Sequence, residues 1–149
     1  MLKLLRQNIA ENLATVFPKP KKAGRGKGVE IGKGRIEAVE LDWETSDVSQ
    51  LQDVDVVVAC DCIYNEALIE PFNGTCAAIC RLRQKDVQED GSKRPTLCLV
   101  AQQLRSPDVF EAWLKSFHEK FQVWKLPDEM LDEGLREGSG FVVHVGIVR

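Results

Sequence analysis

Three residues near two strand ends are of types that could do chemistry together: Trp43, Asp61 and Tyr64. Asp61 follows the apolar run Val56-Val57-Val58-Ala59, and Tyr64 stands three residues further on. In an open α/β sheet, ligands sit outside the carboxyl ends of the strands, so a carboxylate there faces a crevice rather than the core. Such a carboxylate can accept hydrogen bonds from an amine nitrogen and aim it. Aromatic rings can hold a cationic nitrogen or a sulfonium by cation–π attraction. Lining up the amine, a methyl group and a sulfonium sulfur would then supply much of the rate of a methyl transfer. The same spacing also fits a strand-end Asp that caps the next helix, with Tyr64 as packing. Trp43, in Leu41-Asp42-Trp43-Glu44, has the same two readings: a stacking surface for a flat heterocycle, or a lid on the core beneath a loop.

The elements that must position these residues are legible from periodicity. Leu2, Leu5, Ile9 and Leu13 predict an amphipathic helix over 1–14. Residues 18–34 form a basic Gly/Lys/Pro loop, and Arg35–Leu41 reads as a short strand. Asp55–Cys60 reads as a central parallel strand buried on both faces, because its apolar run does not alternate. A helix follows over Ala67–Arg83, with Leu68, Ile69, Phe72, Cys76, Ile79 and Cys80 on one side. After a polar loop at 84–95, Leu97–Ala101 is a second buried strand. Ser106-Pro107-Asp108 opens another helix: Ser106 can cap, Pro107 suits the first helical position, and Asp108 favours the positive end of the dipole. That helix carries Val109, Phe110, Trp113, Leu114 and Phe117. Gln122–Leu126 and Phe141–Val148 are strands, separated by an acidic loop at 127–140. No helical pattern lies between them, which predicts an antiparallel pair. Strands alternating with helices predict an α/β sheet with helices on both faces.

Composition narrows the function classes. The chain has 149 residues with 44% hydrophobic content and a formal net charge of −3, enough for one domain with its own core. This balance does not call for a nucleic-acid partner. Charge is uneven: Lys19 to Arg35 holds seven Lys/Arg and one Glu, and Pro127 to Gly138 holds five acids and one Arg. Both blocks read as solvated loops, with 19–35 the segment through which any nucleic-acid contact would run. No apolar run reaches the ~18 residues of a membrane span. The five cysteines, Cys60, Cys62, Cys76, Cys80 and Cys98, are odd in number and sit in apolar stretches. They read as reduced core thiols of the cytoplasm or nucleus, and their spacing lacks the CxxC pairs of a zinc site.

Leu41-Asp42-Trp43 at one strand end, followed by Asp55-Val56-Val57-Val58-Ala59-Cys60-Asp61-Cys62-Ile63-Tyr64-Asn65-Glu66 at the next, resembles the seven-β-strand S-adenosylmethionine-dependent protein-lysine methyltransferases. Within them the sequence is similar to the fungal ribosomal-protein lysine methyltransferases, over nearly the whole chain and most specifically over 55–66. The resemblance implies the C-terminal part of a class I, Rossmann-like sheet ending in an antiparallel strand pair. It implies that Asp61 and Tyr64 line a lysine channel, and that Trp43, Cys60 and Asp61 border S-adenosylmethionine. It also implies a protein substrate, ribosomal proteins among the candidates. Cys62-Ile63 fill the middle of the motif, where amino-methyltransferases of nucleic acids carry Pro-Pro, which favours lysine over a base.

The resemblance also marks an omission. The Gly-rich turn and the acidic residue through which the family grips its cofactor belong to two strands upstream of the opening helix, and this sequence has neither. Gly24-Arg25-Gly26-Lys27-Gly28 imitates such a turn, but no buried strand delivers it to a helix N-terminus. Without those two strands, Arg35–Leu41 lacks a neighbour and Asp55–Cys60 becomes an exposed edge. The expectation is therefore a lysine methyltransferase that is weak or inactive in this form. The alternative is a non-catalytic module, derived from such an enzyme, that contacts a protein or the ribosome.

Overall fold

The computed structural model describes residues 2–17, 35–83 and 94–149. The basic loop at 18–34 and most of the polar loop at 84–95 lie outside the described residues. The chain divides into two compact units, Met1–Leu41 and Asp42–Arg149.

In the first unit, helix α1 spans Leu2–Val16. Gln7 Nε2 donates to Glu11 Oε1 one turn on, at 2.8 Å, and Arg6 reaches the Ala38 carbonyl at 3.5 Å. Its apolar residues stay largely open, with Leu4, Leu5 and Leu13 all exposed. The strand expected at Arg35–Leu41 does not form: these residues have no ladder partner among the described residues. A strand exists only where a neighbour takes its backbone hydrogen bonds, and β-propensity cannot replace one.

The second unit is built on four strands: β1 (Val56–Cys60), β2 (Leu97–Gln103), β3 (Phe121–Lys125) and β4 (Phe141–Val148). Their spatial order is β1-β2-β4-β3. β1 and β2 run parallel, with Val58 opposite Leu99. β4 runs antiparallel to β3, as the missing helix between the last two strands predicts, and also antiparallel to β2. This is an α/β fold with a mixed four-strand sheet, consistent with part of a Rossmann-like methyltransferase sheet. β1 lies at the edge.

Helix α2 (Ile69–Leu82) follows a short 3₁₀ turn that Asn65 caps by accepting from the Ala67 N–H at 3.0 Å. Its buried positions Ile69, Phe72, Asn73, Cys76, Ala77, Ile79 and Cys80 make one stripe, apolar except for Asn73. Helix α3 (Pro107–Lys120) begins as expected, but Ser106 occupies the cap position without a side-chain capping bond. Trp113, Phe117 and Phe121 run from α3 into β3 as a stacked column, with centroids 4.9 and 4.3 Å apart. This column and the α2 stripe meet Ala59, Cys98, Val100 and Val148 in a single core.

One polar seam ties the two helices together. Asn73, fully buried, accepts from Trp113 Nε1 at 3.1 Å and donates to Ser116 Oγ at 2.9 Å. Ser116 donates in turn to Glu70, which also pairs with Lys120 at 3.0 Å. These hydrogen bonds, Ser116 first and Lys120 next, hold the Glu70 carboxyl below its usual range.

Three expectations are corrected here. Within this unit α2 and α3 share one face of the sheet rather than covering both. β1 is consequently not buried on both faces: Val57 and Ala59 turn toward the core, while Val56 and Val58 are 42% and 64% exposed. The cysteines are not all interior either. Cys76, Cys80 and Cys98 are buried, Cys62 is half-buried and Cys60 is exposed, because strand alternation turns it outward with Val58.

Candidate functional site

The carboxyl ends of β1 and β2 meet at one corner. β1 stops at Cys60, and the Asp61 N–H then donates to the Ala101 carbonyl at 2.8 Å. This pins Asp61 to the neighbouring strand while its φ is +53°. Asp tolerates the left-handed region better than most side chains, yet such backbone strain persists only where the surroundings impose it, and it concentrates at functional sites. The turn swings the carboxylate over the end of β2. There Arg105 Nη2 donates to Asp61 Oδ2 at 2.6 Å, and the Gln103 N–H lies 3.5 Å from Oδ1. Arg105 is itself steadied by Gln103 Oε1, 2.7 Å from its Nε.

Asp61 is therefore not a helix cap, since Asn65 fills that role for the turn that follows. Its side chain remains 39% exposed, accessible from solvent as well as to Arg105. Tyr64 is 69% exposed, so it is not core packing. It borders a cavity of about 140 Å³, shared with Ile63, Gln102, Arg105, Val109 and Phe110. Cys60 and Cys62 flank the acid: Cys62 Sγ donates to the Cys60 carbonyl at 3.4 Å, and burial pushes the Cys62 thiol up. That disfavours a thiolate nucleophile at Cys62.

Cys60, Asp61 and Tyr64 thus share the corner. Trp43 is held elsewhere, by α2. Its ring stands edge-on to Phe72 at 5.1 Å, and its carbonyl accepts from Thr75 Oγ1 at 3.0 Å. It sits half-buried against the core, the packing reading of this residue, with part of the side chain still open. The cavity beside Tyr64 includes neither Trp43 nor Cys60. Asp61 is engaged by Arg105, and no Gly-rich strand-to-helix turn stands among the described residues. Nor does any cluster of His, Cys, Asp or Glu among them suit a metal ion. No helix among them is long and apolar enough to cross a membrane.

Sequence reasoning missed Arg105 and Gln102. Both lie at the carboxyl end of β2, a strand end subject to the same rule that singled out Asp61. The apolar run marks the strand only to Ala101, where the apolar residues stop. In fact it continues through Gln102 and Gln103, which pair with Val142 and Phe141 on β4.

Comparison with known families bears on the segment that contains this corner. The family described as lysine methyltransferase matches residues 26–93. The match runs from before Trp43, through β1 and Asp61-Cys62-Ile63-Tyr64, and past the end of α2. It supports a lysine methyltransferase. No curated protein matches the chain. The family as a whole uses S-adenosylmethionine as methyl donor.

Proposed function

We propose that this chain carries the lysine-binding half of a protein-lysine N-methyltransferase site, with Asp61 and Tyr64 as the residues that orient the lysine. The observation that carries the reading is the Asp61 turn. A carboxylate is held at positive φ on a strand end, half-open to solvent, beside an exposed phenol, inside the segment that matches the family. A lysine ammonium arriving there would compete with Arg105 for Asp61. The carboxylate would hold the nitrogen in place, and the Tyr64 ring would border the alkyl chain. Trp43 and Cys60 would border the methyl donor, S-adenosylmethionine. The substrate is a protein, with ribosomal proteins the first class to test, in the cytoplasm or nucleus.

The same reading has the chain binding S-adenosylmethionine weakly by itself. Backbone donors of a Gly-rich turn and a carboxylate for the ribose hydroxyls would be lacking. At on the order of 1 kcal/mol for each hydrogen bond, losing three or four lowers affinity by roughly two to three decades. Equilibrium dialysis with labelled cofactor measures this, and a Kd of about 10 μM or tighter would overturn it. The lysine role is tested by fluorescence anisotropy with lysine-bearing peptides. Asp61→Asn should abolish the difference between a lysine peptide and its leucine counterpart while the thermal melt stays cooperative. An unchanged difference would remove Asp61 from the site.

The open outer face of β1 favours a second reading, a non-catalytic interaction module. It gains if the chain binds no cofactor yet forms a salt-sensitive complex with purified ribosomes.

A further inference from the structure

The lysine corner leaves one buried group without a role. Gln102 is only 3% exposed, and its Nε2 has no hydrogen-bond partner among the described residues. A buried amide N–H without a partner is costly, and in a native fold it asks for an explanation. Gln102 lines the cavity of about 140 Å³ that Tyr64 borders. Three other polar groups around that cavity also offer donors: the Tyr64 hydroxyl, the Arg105 guanidinium and the Ser106 hydroxyl, which makes no capping bond to α3, while Gln103 lines it with its Oε1 already bonded to Arg105. No carboxylate side chain lines it. Ile63, Val109 and Phe110 supply apolar walls. The volume suits one short side chain and is too small for a nucleoside.

We propose that this cavity receives the carboxylate of an Asp or Glu that lies near the target lysine in the substrate. The inference rests on the lysine reading of Asp61 and Tyr64, and it follows from how Arg105 is shared. In the free chain Arg105 pairs with Asp61. A lysine ammonium that takes Asp61 leaves the guanidinium without its carboxylate. An acidic side chain in the adjoining cavity gives Arg105 a new partner, in the fork geometry that guanidinium and carboxylate share. Gln102 lines the same cavity, and a turn of its amide toward the carboxylate would give Nε2 the acceptor it lacks. Two ion pairs replace one, and neither incoming charge is left alone.

The experiment titrates the full chain with fluorescent Ala/Gly peptides bearing one lysine. Glu, Gln or Ala is placed at successive positions on either side, and binding is read by anisotropy. At the best position the Glu peptide should bind about tenfold tighter than the Ala peptide, as expected for a charge-assisted pair. Gln102→Leu replaces the unpartnered amide with an apolar group of similar size, and should narrow that ratio while leaving the lysine dependence in place. Gln102→Glu puts a like charge in the cavity and should erase the preference. Thermal melts show that each variant folds. Lysine dependence without any preference for Glu overturns the cavity inference alone. A Glu preference without lysine dependence keeps the cavity and overturns the lysine reading. Equal binding of Glu and Gln peptides overturns the carboxylate assignment, and equal binding of all peptides overturns both readings.

Discussion

The two faces of the four-strand sheet are made of similar residues and live in different surroundings. On the face under α2 and α3, Cys98 and Val100 are fully buried, and Gly146 is so close to Phe117 that a Cβ there would lie 2.8 Å from the ring. On the other face Val56, Val58 and Trp124 are 42%, 64% and 50% exposed. β1 contributes valine to both. The difference teaches that a run of β-branched residues reports the propensity to be a strand, whereas burial depends on what lies next to it. The covered face should respond steeply to changes in volume and charge, and the exposed positions of the other face hardly at all, although Val143 on that face is itself buried.

The largest effect is expected from Phe117→Ala. Phe117 is fully buried at the centre of the aromatic column, between Trp113 and Phe121. Removing it should cost about 3–5 kcal/mol, the usual range for a buried aromatic. Urea unfolding checks it. A loss comparable to that of a surface substitution would show that the column is not the keystone of this face.

His144 lies on the same face, against Phe110 and Trp113. Burial is the main cause that pushes its imidazole down to about 4, with His118 and Lys125 adding to it. The folded value lies below the unfolded value of about 6.5, so the unfolded chain takes up the proton first. The associated stability is fully present above pH 6.5 and is lost as pH falls from there toward 4, by about 3 kcal/mol in all. The Glu70 carboxyl is held below its usual range, so denaturation between pH 6.5 and 5 reads the histidine rather than Glu70. His144→Leu should flatten the slope in that window, and an undiminished slope would assign it to another group.

How far the sequence reveals this arrangement depends on how local each signal is. β4 was readable to the residue, because Gly138 and Gly140, at φ +86° and +79°, end the loop before it and β-branched residues fill it. α2 was readable from its stripe, although the cap is Asn65. The Asp61 corner was readable as a strand end. Its partner Arg105 was not, because apolar content stops at Ala101 while ladder pairing continues to Gln103. The outward turn of Cys60 and Val58 was hidden for the same reason: only the neighbours decide which face of an edge strand is covered.

Gly146→Ala sharpens the comparison where strand and ring approach closely in the core. The added methyl would meet Phe117 Cζ at 2.8 Å and Phe121 Cβ at 3.1 Å, with ring and strand both held by packing. Overpacking of this kind costs about 1–3 kcal/mol. Combining it with Phe117→Leu should cost less than the sum of the two single changes, because the smaller side chain makes room for the methyl. Strict additivity would mean the two positions do not compete for the same space.

Val58→Thr is the smallest change and tests the open face directly. The two side chains have nearly the same shape, and both suit a strand, so backbone propensity is conserved. What differs is a hydroxyl in place of a methyl. At a buried position that exchange leaves a polar group to satisfy and costs on the order of 1–3 kcal/mol. Val58 is 64% exposed at the sheet edge, where water satisfies the hydroxyl, so the cost should stay under about 0.5 kcal/mol. The same exchange at Val100, fully buried one strand away on the covered face, should bring the full penalty. An exposed apolar edge strand is also a template for pairing with other chains. Val58→Thr should therefore slow concentration-dependent aggregation, followed by light scattering, while leaving the urea midpoint nearly unchanged. A cost at Val58 equal to that at Val100 would mean that something covers the outer face of β1 in solution, and the contrast between the two faces would fall with it.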